Sequence, residues 1–454
     1  MGAPAISRPG GYVVARRVTA RRVAGGHSAC PAARALARSG MLAAAAVASM
    51  LTLAVLAVPA ASAVRRPAPV AGAPHAGARA ALGPDQFRNP VLGQGQDPSV
   101  VFFDGWYYFT QTSSSATYLT IRRSRSIKSL AAADQKIVWV GGERGSPGFD
   151  WWAPELHRID GKWYIYTAAD QGSNVTHRLQ VLQAAQPLGP YRYLGQLTTP
   201  GDRWSIDPSP LQLPDGQLFM LWSGWPGPGN GVQDIYIARM SKPWTIVGPR
   251  VMISTPTYPF ELHNGGTGLK VNESPEPIVH GSTISVTYSA SACWTPYYSL
   301  GLLSTRLGAD LMRASSWKKS KTAIFSSNDA ARIYGPASNG WFISPNGKQT
   351  WIVFHAVSNP AGNCGAERMV YAQPVRWTAE GTPDLGGKPL PRNTVLEVPP
   401  GDPGCCKALQ RGARGRGRPA RDEHGMDVCL SSFSSGHLGQ DGLPVEQGVE
   451  EDLR

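Results

Sequence analysis

Phe102-Phe103-Asp104-Gly105-Trp106-Tyr107-Tyr108 reads as two apolar strand ends joined by a tight turn. An Asp-Gly pair between apolar residues is among the strongest short-range marks of a β-hairpin, because Gly accepts the positive φ that the turn demands and Asp tolerates it. The signal returns four times. The copies are Ile159-Asp160-Gly161-Lys162-Trp163-Tyr164, Leu213-Pro214-Asp215-Gly216-Gln217-Leu218, Val279-His280-Gly281-Ser282-Thr283-Ile284 and Ser344-Pro345-Asn346-Gly347-Lys348-Gln349. The turn glycines 105, 161, 216, 281 and 347 stand 56, 55, 65 and 66 residues apart, and helical periodicity is nearly absent between them. Four short strands with their turns fill roughly 40–65 residues, so each repeat has the length of one propeller blade. A β-sandwich is the rival arrangement, but it would not space one motif evenly five times. The expected fold is all-β, a five-bladed β-propeller in which every repeat turns on a two-residue hairpin.

Composition confines the folded part to the same stretch. All fourteen tryptophans lie between Trp106 and Trp377. Residues 1–84 hold ten arginines and no Lys, Asp or Glu, and residues 399–454 hold seven basic and nine acidic residues, so a net charge of +13 falls to +5 over 85–398. The basic balance is thus an N-terminal property. The middle has no basic run interleaved with aromatics, which argues against a nucleic-acid partner. Its Trp, Tyr and Ile content excludes disorder. One unit of about 314 residues, 85–398, needs explaining.

Residues 1–63 read as a signal peptide. An apolar run from Met41 to Val58 follows Arg34 and Arg38 and ends in Pro59 and Ala61-Ser62-Ala63, a small-x-small cleavage pattern. A membrane-spanning helix is the alternative for a run of about 18 residues. The Ala content, the cleavage pattern and the lack of a basic stop-transfer cluster favour a cleaved signal, hence a secreted, extracellular protein without stable membrane association. Residues 64–84, rich in Ala, Pro, Gly and Arg, read as a flexible linker. Residues 399–454 pass through Arg-Gly repeats (Arg411 to Arg418) into an acidic end whose lone aromatic is Phe433. That stretch is expected to be a low-complexity, disordered tail, and a shifted reading frame would produce the same composition. Export permits disulfides. Cys30 lies in the leader and Cys405, Cys406 and Cys429 in the tail, which leaves Cys293 and Cys364 in the folded unit, bridged or not. No cysteine has zinc-ligand spacing.

The residues just upstream of each hairpin carry the chemistry. They are Asp97-Pro98-Ser99, Trp152-Ala153-Pro154-Glu155, Asp207-Pro208-Ser209-Pro210, Glu273-Ser274-Pro275-Glu276 and Gly335-Pro336-Ala337-Ser338. In a propeller the innermost strand of each blade starts at the mouth of the central channel. Four of the five stretches are acidic, each beside a proline that fixes local φ. Like charges converging on one axis raise one another's pKa, which points to a catalytic carboxylate cluster. In a Trp-rich exported protein the matching chemistry is glycoside hydrolysis, where one carboxylic acid protonates the leaving oxygen and a carboxylate activates water or attacks carbon. Calcium binding is the rival use of an acidic channel, and it needs more oxygen ligands.

Taken together, Asn89-Pro90-Val91, Asp97-Pro98-Ser99, Trp152-Ala153-Pro154-Glu155-Leu156, Asp207-Pro208-Ser209-Pro210, Asn272-Glu273-Ser274-Pro275-Glu276 and Phe354-His355-Ala356 resemble the motifs of glycoside hydrolase family 43. The resemblance implies a five-bladed propeller acting with inversion, with Asp97 as general base, Glu273 as general acid and Asp207 as the residue that tunes the acid and holds it in place. Inversion needs base and acid about 6.5–9.5 Å apart. His355 matches a histidine that in many members helps bind an ion or ordered water near the channel axis, with a satisfied core histidine as the alternative. No cofactor is required, and a structural calcium or other ion near the axis is compatible with the pattern. The segments 288–296 and 234–240 resemble the exo-acting α-L-arabinofuranosidase branch, whose substrates are arabinan and arabino-oligosaccharides of the plant cell wall. Trp152 and Trp294 are then the candidates to wall a sugar pocket, against core packing. A β-xylosidase, an endo-arabinanase and a non-catalytic sugar-binding propeller are the alternatives, and a monomer is expected. Two departures mark this sequence. Ser274 stands where the family usually has Gly, and Ala337-Ser338 where a Gly-His pair is common.

Overall fold

A computed structural model describes residues 81–404 of the chain. The stretch expected to be a signal peptide, all but the last residues of the expected 64–84 linker, the expected tail from residue 405 onward and the four cysteines Cys30, Cys405, Cys406 and Cys429 lie outside the described residues.

The five hairpin signals each become the first two strands of an antiparallel meander. After β1 (Gln86–Phe87), the first meander is β2 (Ser99–Phe103), β3 (Trp106–Thr110), β4 (Tyr118–Ser124) and β5 (Gln135–Val140). The second is β6 (Phe149–Ile159), β7 (Lys162–Asp170), β8 (Arg178–Ala184) and β9 (Arg192–Gln196). The third is β10 (Ser205–Gln212), β11 (Leu218–Gly224), β12 (Val232–Lys242) and β13 (Thr245–Ser254). The fourth is β14 (Lys270–His280), β15 (Thr283–Ala290), β16 (Ser299–Arg306) and β17 (Lys318–Lys319). A short parallel pairing, Val232 to Lys270 and Gln233 to Val271, ties β12 to β14. The fifth holds β18 (Tyr334–Ile343), β19 (Thr350–Val357) and β20 (Met369–Pro374). Then β21 (Arg376–Trp377) pairs with β22 (Pro383–Asp384), and β23 (Leu396–Glu397) returns to β1. Among the described residues no helix is long and apolar enough to cross a membrane.

The turns differ from a single repeated type. Asp104-Gly105 and Asp160-Gly161 have positive φ at both central residues, as a two-residue type I′ hairpin requires. The fourth turn is also two residues long, but Gly281 takes its first place, with φ 56°. The third and fifth are longer loops, from Leu213 to Gln217 and from Ser344 to Gln349, closed by Gly216 N–H to Leu213 O and Gly347 N–H to Ser344 O. Pro214 and Pro345 explain the difference, because a proline has no N–H to continue the ladder.

Each meander packs its apolar faces against its neighbours. Tyr108, Leu119 and Ile121 of the first share a cluster with Trp163, Ile165 and Leu182 of the second. Tyr164 and Tyr166 meet Trp222 and Tyr236, Leu221 and Ile237 meet Val286 and Leu303, and Leu300 meets Phe354 and Tyr371. The fifth meander in turn packs on the first, through Phe342, Trp351 and Val353 against Val100, Tyr107 and Phe109.

The N-terminal segment supplies what β20 lacks on its outer side. Val91 N–H donates to Val370 O at 2.8 Å, Val370 N–H to Leu92 O at 3.0 Å and Gly95 N–H to Arg368 O at 2.8 Å. Asn89, buried, brackets the backbone of Ala372, donating to its carbonyl at 2.8 Å and accepting its N–H at 2.9 Å. Asn89→Ala strands both backbone groups in an apolar setting and should cost about 2–4 kcal/mol. A urea melt checks this, and a loss under about 0.5 kcal/mol would mean that the segment does not depend on that bracket.

Candidate active site

The site is made by one local distortion repeated five times. Asp97, Ala153, Asp207, Ser274 and Ser338 stand in corresponding places at or just before the inner strands β2, β6, β10, β14 and β18. All five are left-handed, with φ of 52°, 44°, 54°, 48° and 48°. In the last four strands the register slips at that point, between Trp152 and Glu155, Ile206 and Ser209, Glu273 and Glu276, and Ala337 and Gly340. A bulge of this kind re-aims side chains beside a functional site. It also sets the correspondence of the repeats, which sequence alone left one or two residues loose. Glu273 falls one position before its repeat's left-handed residue, and Glu155 and Glu276 fall two beyond theirs.

The acidic residues therefore form two layers. Asp97, Asp207 and Glu273 line a cavity of about 910 Å³, together with Trp152, Trp294 and Tyr298. Glu155 and Glu276 do not line it. Glu155 accepts from or donates to His157 Nε2 at 2.7 Å, and Glu276 accepts from Ser209 Oγ at 2.9 Å. Burial pushes both carboxyls well above the usual range. Burial thus favours the neutral form of both, and they belong to the framework beneath the pocket.

The three pocket carboxyls are held in unlike states. Burial opposes ionisation of Asp97, but Arg368, Thr112 Oγ1 (2.7 Å) and Ser338 Oγ (3.0 Å) outweigh it, and its pKa lies below the ordinary value. Thr112 is itself positioned by the N–H of Ala153, which it accepts at 2.7 Å. Asp207 is pushed up to about 7 by burial and by the Asp97 charge, against the opposing N–H of Ser274 at 2.9 Å. Glu273 is pushed up to about 8 by burial and by Asp207, although Tyr298 donates its hydroxyl to Oε1 at 2.9 Å. At neutral pH this gives an ionised Asp97 and a protonated Glu273 in one cavity, the two states that a base and an acid need.

His355 lies behind Asp97, not on the cavity wall. Its Nδ1 accepts the Asp97 backbone N–H at 3.1 Å, and its ring stacks on Tyr298 at 5.9 Å and 16°. Burial holds its pKa near 3, so the ring is neutral. A neutral imidazole that accepts at Nδ1 carries its proton at Nε2. His355 is therefore a donor at Nε2 and does not fit direct ligation of a cation there, though it fits a water that solvates one. Among the described residues one group has metal-like spacing, Asp150, Asp170 and His177, with ligand atoms within 4.8 Å of one another. Both nitrogens of His177 already face carbonyl oxygens, Nδ1 that of Asn174 at 3.1 Å and Nε2 that of Asp150 at 3.2 Å. The ring packs against Trp152 at 4.1 Å, tilted by 31°, which makes the trio a support for the pocket wall.

Trp152 is partly buried, and Trp294 is 38 % exposed with its indole N–H donated to Asn264 O at 3.1 Å. Cys293 and Cys364 are bonded, and both line the cavity. The bridge joins the loop leading to Tyr298 to the loop leading to Arg368, so one covalent link seats the partner of the acid and the partner of the base. Thr112, Tyr298 and Arg368 were not singled out in the sequence. A Thr, a Tyr and an Arg in strand-rich contexts carry no distinguishing local pattern, and only the fold brings them to the carboxyls.

A family model for glycosyl hydrolases family 43 matches residues 87–383. The chain is 37 % identical over 310 residues to an extracellular exo-α-(1→5)-L-arabinofuranosidase of Streptomyces avermitilis, covering 66 % of this chain and 63 % of that protein. A Streptomyces chartreusis protein of the same description is 34 % identical over 293 residues, covering 63 % of this chain and 86 % of the relative. The crystal structure of an α-L-arabinofuranosidase from Lactobacillus brevis superposes with a TM-score of 0.62 at 31 % identity, over 68 % of this chain and 98 % of that one. The chain thus spans just under two thirds of the Streptomyces avermitilis relative's length.

Carboxyl ¹³C NMR tests the charge states directly. Asp97 should titrate below the ordinary aspartate range, while Asp207 and Glu273 lose their protons near 7 and 8 as a coupled pair. In Asp207→Asn the like charge disappears, so the Glu273 titration should move down. An unmoved Glu273 would show that burial alone raises it.

Proposed function

Because this chain belongs to glycosyl hydrolases family 43, we propose that it is an exo-acting α-L-arabinofuranosidase that hydrolyses terminal arabinofuranosyl residues of arabinan or arabino-oligosaccharides with inversion. The observation that carries this reading is the split protonation of two carboxyls facing one cavity, Asp97 ionised and Glu273 protonated. The relatives named for that activity support the choice of sugar.

In the proposed mechanism the cavity takes one terminal sugar, with Trp152 and Trp294 as flat walls for its C–H surfaces. Asp97 removes a proton from a water while Glu273 delivers its proton to the glycosidic oxygen, so C–O cleavage and water attack occur on opposite faces of the ring. Burial keeps Glu273 protonated, and the charge of Asp207, once that carboxyl ionises near 7, holds it protonated up to about 8. No cofactor enters. An ion near the axis would be held through water that receives the His355 N–H. The fold reading is a closed five-bladed propeller, supported by the five meanders and by the core that the fifth shares with the first. Secretion is supported by the small-x-small leader and by the word extracellular in the relatives' names.

Glu273→Ala should reduce kcat on arabino-oligosaccharides by about 10³-fold, but far less on aryl arabinofuranosides with good leaving groups, which need little acid help. Equal loss on both would remove Glu273 from the acid role. Wild-type activity should fall as pH rises through about 8, because deprotonated Glu273 cannot protonate the leaving oxygen. Product anomers followed by ¹H NMR check the stereochemistry, and a retained anomer would overturn the inverting scheme.

A further inference from the structure

Two of the left-handed inner-strand residues, Ser274 and Ser338, meet in space. Ser274 Oγ and Ser338 Oγ lie 3.1 Å apart. Ser274 Oγ also lies 3.2 Å from Asp207 Oδ2, and Ser338 Oγ lies 3.0 Å from Asp97 Oδ1. Two carboxyls are thus joined by two hydroxyls across three hydrogen-bonding gaps.

Counting protons decides what the chain of groups holds. Three gaps need three hydrogens, and two serine hydroxyls supply two. With both carboxyls ionised, each hydroxyl would point at its own carboxylate and two oxygens would face each other at 3.1 Å with no hydrogen between them. One added proton on Asp207 fills every gap in a single direction, Asp207 to Ser274, Ser274 to Ser338, Ser338 to Asp97. Asp97 then ends the chain as an ionised acceptor.

We infer that Ser274 and Ser338 form a two-hydroxyl relay over which Asp97 and Asp207 share one proton. This rests on Asp97 being the base. After Asp97 has taken a proton from water, Asp207 can release its own to water in the cavity, which it also lines. The Asp97 proton then passes to Ser338 Oγ, the Ser338 proton to Ser274 Oγ, and the Ser274 proton to Asp207. Each hydroxyl oxygen gains one proton and loses one, and Asp97 is a carboxylate again. The charged and titratable groups facing the relay are Arg368 and His355 at the Asp97 end and Glu273 at the Asp207 end. The elevated pKa of Asp207 and the depressed one of Asp97 agree with the resting direction.

Glycine is the right probe, since both serines are left-handed with φ 48° and glycine adopts that conformation without strain. For an unbroken relay, Ser274→Gly and Ser338→Gly should each lower kcat on an aryl arabinofuranoside about tenfold, and the double variant should lose no more than either single one. Losses that multiply to about a hundredfold would overturn the relay. A proton inventory of wild-type kcat in H₂O/D₂O mixtures is the second readout. It should bow, because several protons move together, and should become linear in either glycine variant. A linear wild-type inventory would also overturn the proposal. The two readings fail separately, because a wild type inactive on every arabinofuranoside sinks the arabinofuranosidase assignment, whereas an active wild type with multiplying losses sinks the relay alone.

Discussion

Everything in the pocket depends on a backbone conformation that L-residues avoid. Five non-glycine residues are held left-handed, Asp97 two residues before β2 and Ala153, Asp207, Ser274 and Ser338 inside β6, β10, β14 and β18. Such residues cost of order 1 kcal/mol each and persist only where the surroundings over-determine them. Here the surroundings are prolines on the C-terminal side at four of the five, and hydrogen bonds that the bulged backbone donates to neighbouring repeats. Ala153 N–H reaches Thr112, Ser274 N–H reaches Asp207 and Ser338 N–H reaches Ser289. The strain of one repeat is thus offset by a side chain of another, and geometry at the mouth is a property of several repeats at once.

The same arrangement controls charge. Three carboxyls sharing one poorly solvated cavity cannot all ionise, and the question is which keeps its charge. Asp97 does, because Arg368 and two hydroxyls converge on it. Glu273 does not, because its strongest neighbours are burial and Asp207. Donors and like charges distributed unevenly around chemically similar groups produce unlike roles.

Much of this was legible in the residues. Turn glycines gave the repeats, and the Asp97, Asp207 and Glu273 motifs gave the pocket carboxyls that the fold brings together. Register was not legible at single-residue precision. Trp152-Ala153-Pro154-Glu155 and Glu273-Ser274-Pro275-Glu276 each offer an acid near a proline, and only the position of the left-handed residue shows that Glu155 and Glu276 belong to a lower layer. The loops at Pro214 and Pro345 are longer than the dipeptide signal implies for a related reason, since that signal does not reveal how far the ladder extends on either side. Arg368, Tyr298 and Thr112 act over sequence separations that no local pattern encodes. The bridge between Cys293 and Cys364 could be framed as a pair but needed coordinates to be seen closed.

The pairing of β1 with β23 sets Gln86 opposite Glu397 and Phe87 opposite Leu396. The folded unit therefore begins and finishes at one spot on its surface. Its linear order is then one of several that would keep the same meanders in place. A circularly permuted gene, joining residue 397 to residue 86 through a short linker and opening at the exposed Asp215-Gly216 turn, would encode the same pocket with the motifs in a different order. Attachments at either end would leave from that one spot, and two modules fused there would be neighbours whatever their distance in the sequence.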